Sequence, residues 1–113
     1  MRYISTRGGI QPISFKNAVM MGLATDGGLL LPESYPEISQ EELASWRSLS
    51  YQQLAFQIIS RFVDDIPSAD LAALIDRSYA TFSNKHVTPV LQKNGIWVLE
   101  LFHGVTLAFK DVA

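Results

Sequence analysis

Hydrophobic positions recur along this chain with two periods, and the change of period organises it. Between Ser39 and Phe82 the spacing is helical. Tyr51, Leu54, Ala55, Ile58, Ile59 and Phe62 fall at i, i+3, i+4, i+7, i+8 and i+11, one face of an amphipathic helix. Ser50-Tyr51-Gln52-Gln53 opens it with a capping-box pattern, in which hydroxyl and side-chain oxygen each satisfy a backbone N–H left over at the helix start. Ser39-Gln40-Glu41-Glu42 repeats that signal ahead of a shorter helix with Leu43 and Trp46 on one face. Pro67-Ser68 opens a third, with Leu71, Leu74, Ile75, Ser78, Tyr79 and Phe82 on its stripe. The two longer helices are expected to pack against each other.

At both ends the pattern turns to β. Tyr3 to Thr6 reads as an opening strand closed by Arg7-Gly8-Gly9. Ser14 is placed to cap a short helix with Phe15, Ala18 and Val19 on one face, and Gly22 to end it. Asp26-Gly27-Gly28 makes a tight turn into Leu29-Leu30-Leu31, an expected buried strand that Pro32 stops. Val87-Thr88-Pro89-Val90-Leu91 and Ile96-Trp97-Val98-Leu99-Glu100-Leu101 flank Asn94-Gly95, a strong hairpin signal. Pro89 has no N–H for a ladder, so the first of these strands is expected at an edge. The fold class is therefore α/β, a mixed α+β arrangement with strands at both ends and a helical middle. Residues 1–85 are expected to form one unit, and 86–113 the hairpin and the start of a second.

Composition narrows the function classes. The chain has 113 residues, 48% of them hydrophobic and 18% charged, with a formal net charge of −2. That describes a globular domain with one core. No Lys/Arg run suggests a nucleic-acid partner. The chain contains no cysteine and two histidines, so disulfides and thiolate metal sites are excluded and no metal site is expected. No segment nears the ~20 apolar residues of a membrane span, and the N-terminus lacks the apolar stretch of a signal peptide. These features predict a cytoplasmic protein.

One stretch carries candidate chemistry: Leu99-Glu100-Leu101-Phe102-His103-Gly104-Val105-Thr106-Leu107-Ala108-Phe109-Lys110-Asp111. A lysine that attacks a carbonyl must spend time neutral, and an exposed one, with pKa about 10.4, is protonated at pH 7. Leu107, Ala108 and Phe109 supply apolar neighbours, and Thr106 is placed to cap a helix starting at Leu107. Burial and a helix N-terminus both disfavour the charged amine. Asp111 opposes them unless its carboxylate points elsewhere. The plainer alternative is a lysine that snorkels to water from the end of an apolar run.

That stretch resembles the cofactor-lysine segment of the threonine synthase family. Tyr3-Ile4-Ser5-Thr6-Arg7-Gly8, Phe15 with Ala18 and Gly22-Leu23-Ala24, and Asp26-Gly27-Gly28-Leu29 to Pro32 are similar to that family too, at its spacing. The likeness covers essentially the whole chain, and Glu100-Leu101-Phe102-His103-Gly104 leading to Phe109-Lys110-Asp111 is its most specific part. It implies a pyridoxal 5′-phosphate (PLP) enzyme of fold-type II, like the tryptophan synthase β-subunit. Such an enzyme converts O-phospho-L-homoserine and water to L-threonine and phosphate. By the same resemblance Lys110 forms the Schiff base with PLP and later moves protons. Val105 departs from the family, which usually has proline there. The resemblance also implies that the PLP phosphate loop lies beyond the lysine. The chain is accordingly expected to be the N-terminal portion of a longer enzyme, inactive and without tight PLP binding by itself.

Other residues carry weaker expectations. His103 either assists the cofactor or makes structural hydrogen bonds beside its glycine. Thr106 either contacts substrate or cofactor or serves as a cap. Arg7 with Gly8-Gly9 either holds an anion or forms a solvated turn. Two functional alternatives remain at this level. One is a threonine-synthase-like phospho-lyase that releases phosphate without completing threonine. The other is a non-catalytic interaction domain whose C-terminal strand adds to a partner's sheet.

Overall fold

The computed structural model describes residues 1–112. Residue 113, the last of the expected second unit, lies outside the described residues. Strand β1 (Tyr3–Ser5) leads to helix α1 (Phe15–Met21) and strand β2 (Leu30–Pro32). Helices α2 (Gln40–Ser45), α3 (Tyr51–Ile59) and α4 (Ser68–Tyr79) follow, then strands β3 (Val90–Lys93) and β4 (Ile96–Leu99) and a 3₁₀ turn over Phe109–Val112. The mixed helix and strand content and the helical middle match the reading of the sequence.

The helix starts form as the sequence dictates. Ser39 and Glu42 close one capping box, and Ser50 and Gln53 another, with the Ser50 amide donating to Gln53 Oε1 at 2.9 Å. Ser50→Ala removes the acceptor for the Gln53 amide and should destabilise the protein by about 1 kcal/mol. Denaturant unfolding with an unchanged slope checks it. Ser14 caps α1, where the Asp65 carboxylate from the loop before α4 accepts the Lys16 amide at 2.9 Å. Arg61 pairs with Glu42 at 2.6 Å and lies over the Trp46 ring at 5.2 Å, joining α2 to the end of α3.

The core sits where α3 meets α4. Val63, Leu71 and Ile75 are buried together, with Phe15, Ala55, Phe56, Ile59, Phe62, Ile66 and Tyr79 packed around them. Tyr3 attaches the N-terminal strand to this core. Its ring packs tilted against Phe15, and its hydroxyl donates to the Phe62 carbonyl at 3.1 Å.

The strands depart from expectation in their burial and bounds. β1 and β2 pair antiparallel with Ile4 opposite Leu31, but Leu29 and Leu31 are 58% and 41% exposed. A two-stranded ribbon has one covered face, and these leucines lie off it, so the expected buried strand is a half-covered one. Val87 does not begin a strand. The Asn84 side chain accepts the His86 amide at 2.9 Å, its carbonyl accepts the Val87 amide at 2.9 Å, and Val87 is fully buried with φ 57°. Left-handed backbone at a β-branched residue is incompatible with a ladder, so β3 starts at Val90. Asn94 and Gly95, at φ 52° and 78°, form the expected hairpin turn. Val90, Leu91, Ile96, Trp97, Val98 and Leu99 leave the hairpin apolar and exposed on both faces.

Candidate active site

After β4 the chain is fastened at three places before and after Lys110. Glu100 turns its carboxylate to His103 Nε2 at 2.7 Å, and both side chains are largely covered. The His103 carbonyl accepts the Ser83 amide at 2.9 Å, which ties this segment to the end of the helical unit. At the far end the Tyr79 hydroxyl donates to the Val112 carbonyl at 2.9 Å, so α4 holds the 3₁₀ turn. His103 thus makes structural contacts.

Between these anchors Thr106 and Asp111 close a loop. The Thr106 amide donates to Asp111 Oδ2 at 2.8 Å and its hydroxyl to Asp111 Oδ1 at 2.7 Å. Gly104 is buried against Asp111, and a Cβ there would lie 2.7 Å from the Asp111 carboxyl carbon. Leu107 sits at φ 59°, and helical backbone begins only at Phe109.

Two expectations are corrected here. Thr106 caps no helix at Leu107, because the left-handed Leu107 bars one and the Thr106 hydroxyl is committed to Asp111. Nor is Lys110 buried among apolar neighbours. It is exposed, with Leu107 71% and Phe109 65% exposed, since the closed loop turns these side chains outward. The Asp111 carboxylate does point elsewhere, at Thr106. Lys110 joins no ion pair among the described residues.

Arg7-Gly8-Gly9 is an exposed turn and not a vacant anion site, because the chain's own Asp26 takes its donors. The Gly9 amide donates to Asp26 Oδ2 at 2.7 Å, and the Gly28 amide and Ser5 hydroxyl to Oδ1 at 2.9 and 2.7 Å. Arg7 Nη1 donates to the Asp26 carbonyl at 3.0 Å. The Ser5 hydroxyl, then the Gly28 amide, and further the Gly9 amide and the Arg7 charge hold the Asp26 carboxyl below its ordinary range, against some desolvation. A depressed folded-state pKa stabilises the fold above the unfolded value of about 3.9 and is lost as pH falls through the folded value. Asp26→Asn should therefore lower the urea midpoint at pH 7, and the gap from the parent should narrow below about pH 4. A gap constant with pH would contradict this role. No local spacing in the sequence pairs Asp26 with this donor-rich turn, because the contact crosses the first loop.

Among the described residues no group of three His, Cys, Asp or Glu side chains is arranged to hold a metal. No helix of the described residues is long and apolar enough to cross a membrane.

The family model for the threonine synthase N terminus matches residues 2–79. The chain belongs to the threonine synthase family. It is 49% identical over its whole length to a threonine synthase from Pseudomonas aeruginosa, covering 24% of that protein. It is 44% identical over its whole length to threonine synthase-like 2 from Xenopus laevis, covering 25% of it. The solved PLP-bound threonine synthase from Brucella melitensis superposes with a TM-score of 0.93 at 43% identity, over 99% of this chain and 25% of that one. The chain spans about a quarter of the length of these members of the threonine synthase family.

Proposed function

We propose that this chain supplies the N-terminal quarter of a threonine synthase and that Lys110 is its cofactor lysine. The observation that carries the reading is the match of 99% of this chain to a quarter of the Brucella melitensis enzyme, which is PLP-bound, at a TM-score of 0.93. The reaction proposed is conversion of O-phospho-L-homoserine and water to L-threonine and phosphate.

The residues at hand suit one end of PLP. Lys110 offers an amine that a cofactor aldehyde can reach, on a fastened loop. They do not suit its phosphate, because the Gly9 and Gly28 amides already donate to Asp26. PLP, when bound, would supply the electron sink that lets bonds at the substrate's α-carbon break. Lys110 Nζ would anchor the cofactor through its aldehyde carbon and afterwards move protons to and from the substrate. Thr106 and His103 would position this segment. The phosphate, the ring and most of the substrate would be held by parts of the enzyme other than residues 1–113, and these residues alone would neither bind PLP tightly nor turn over substrate.

The exposed hairpin supports a longer enzyme as well. A lone two-stranded hairpin is marginal in water, and six exposed apolar side chains on one are a surface suited to cover. We set the boundary between the N-terminal unit and the catalytic unit at 85/86, just past the family match ending at 79. The absence of cysteine fits a cytoplasmic enzyme.

The experiment is borohydride reduction of the full-length holoenzyme followed by peptide mapping. A pyridoxyl group on Lys110 is expected, and its placement on another lysine would end the assignment. One second reading is a phospho-lyase acting on the same substrate, since the chain is also similar to a relative named threonine synthase-like and not threonine synthase. Product analysis separates them, since threonine marks the synthase and a keto acid with ammonia marks the phospho-lyase.

A further inference from the structure

We propose that Asp111 is a positioning residue for Lys110, acting through its two-pronged contact with Thr106. This rests on the reading of Lys110 as the cofactor lysine. Both Asp111 oxygens are engaged by one residue, Oδ2 by the Thr106 amide at 2.8 Å and Oδ1 by its hydroxyl at 2.7 Å. A carboxylate held at both oxygens cannot swivel, so it fixes the orientation of the 3₁₀ turn in which Lys110 is its immediate neighbour.

The surrounding backbone is arranged for this contact. Leu107 at φ 59° adopts a conformation that a leucine avoids unless its neighbours impose it. The Leu107 amide donates to the Gly104 carbonyl at 3.2 Å and the Asp111 amide to the Ala108 carbonyl at 3.1 Å. Gly104 admits the Asp111 side chain where a Cβ would approach its carboxyl carbon to 2.7 Å. The hydroxyl of Tyr79 holds the carbonyl of Val112 on the other side. The chain around Lys110 is thus fixed while its own amine joins no ion pair among the described residues. The same contact commits both Asp111 oxygens to Thr106.

The test uses the full-length enzyme freed of cofactor, remixed with PLP and quenched with borohydride at intervals. Linkage joins Nζ to the aldehyde carbon with loss of one water, and hydride fixes it as a stable C–N bond. The quantity read is pyridoxyl on Lys110 per PLP bound. Asp111→Ala is expected to slow its appearance roughly tenfold, with Thr106→Val in the same direction. Asp111→Asn can accept the Thr106 amide and donate to its hydroxyl, so it should recover to within a few-fold of the parent, as should Thr106→Ser. A role confined to stability would lower the PLP bound and leave this ratio alone. Parental rates in Asp111→Ala, or Asp111→Asn as slow as Asp111→Ala, would overturn the proposal. Should Asp111→Ala not fold, the Thr106→Val and Thr106→Ser pair decides by the same ratio. Parental enzyme labelled at another lysine would instead sink the reading of Lys110 itself.

Discussion

Lys110→Ala in the full-length enzyme is expected to eliminate covalent PLP and to lower kcat by roughly 10²–10⁴-fold from lost proton transfer alone. Alanine has no amine to join the aldehyde and none to carry protons. Lys110→Arg should fail in nearly the same way, because a guanidinium stays protonated and cannot act as a nucleophile. The stability of residues 1–113 by themselves should hardly change. Lys110 is exposed and in no ion pair among the described residues, so its removal belongs with surface substitutions, within about 0.5 kcal/mol. That contrast makes the experiment decisive. A variant as stable as the parent but without lysine-linked cofactor or turnover places the chemistry at Nζ, whereas a fully active variant removes Lys110 from the mechanism.

The sequence was legible wherever a signal and its partner lie within a few residues. Ser39 with Glu42, Ser50 with Gln53, and Asn94-Gly95 each specify a local geometry, and each forms as expected. The α3–α4 packing followed from two apolar stripes that leave few other ways to be covered. Reading failed where the partner is remote or its role ambiguous. Asp26 reaches Ser5 and Gly9 across the first loop, a pairing that spacing does not reveal. Thr106 looked like a helix cap because its real acceptor, Asp111, competes for the same hydroxyl from five positions on. Val87 belonged by propensity to a strand, and the Asn84 turn overruled it. Lys110 is the instructive case. Apolar neighbours suggested burial, which the structure does not give, so the assignment stands on the motif and the family likeness.

Ile75→Ala should be the most damaging of the core substitutions, lowering stability by about 2–5 kcal/mol. Ile75 is 5% exposed and lies in the cluster with Val63 and Leu71 that joins α4 to α3. Alanine is the better helix former, so propensity works against the loss and the whole effect is packing. Ile75 also borders an open groove lined by Phe15, Ile59, Ile66 and Tyr79, which lets the neighbours collapse partly into the space and favours the lower half of that range. Against a total of roughly 5–15 kcal/mol for a domain this is a large fraction. The consequence extends to the lysine segment, because Tyr79 lies one helical turn beyond Ile75 and its hydroxyl carries the Val112 carbonyl. Denaturant unfolding of the 113-residue chain measures the first effect. The rate of PLP attachment in the full-length variant measures the second, and it should fall with Ile75→Ala although Ile75 has no part in the chemistry. Stability lost without slower attachment would show that α4 and the Lys110 loop are uncoupled, and that Tyr79 is a passive contact.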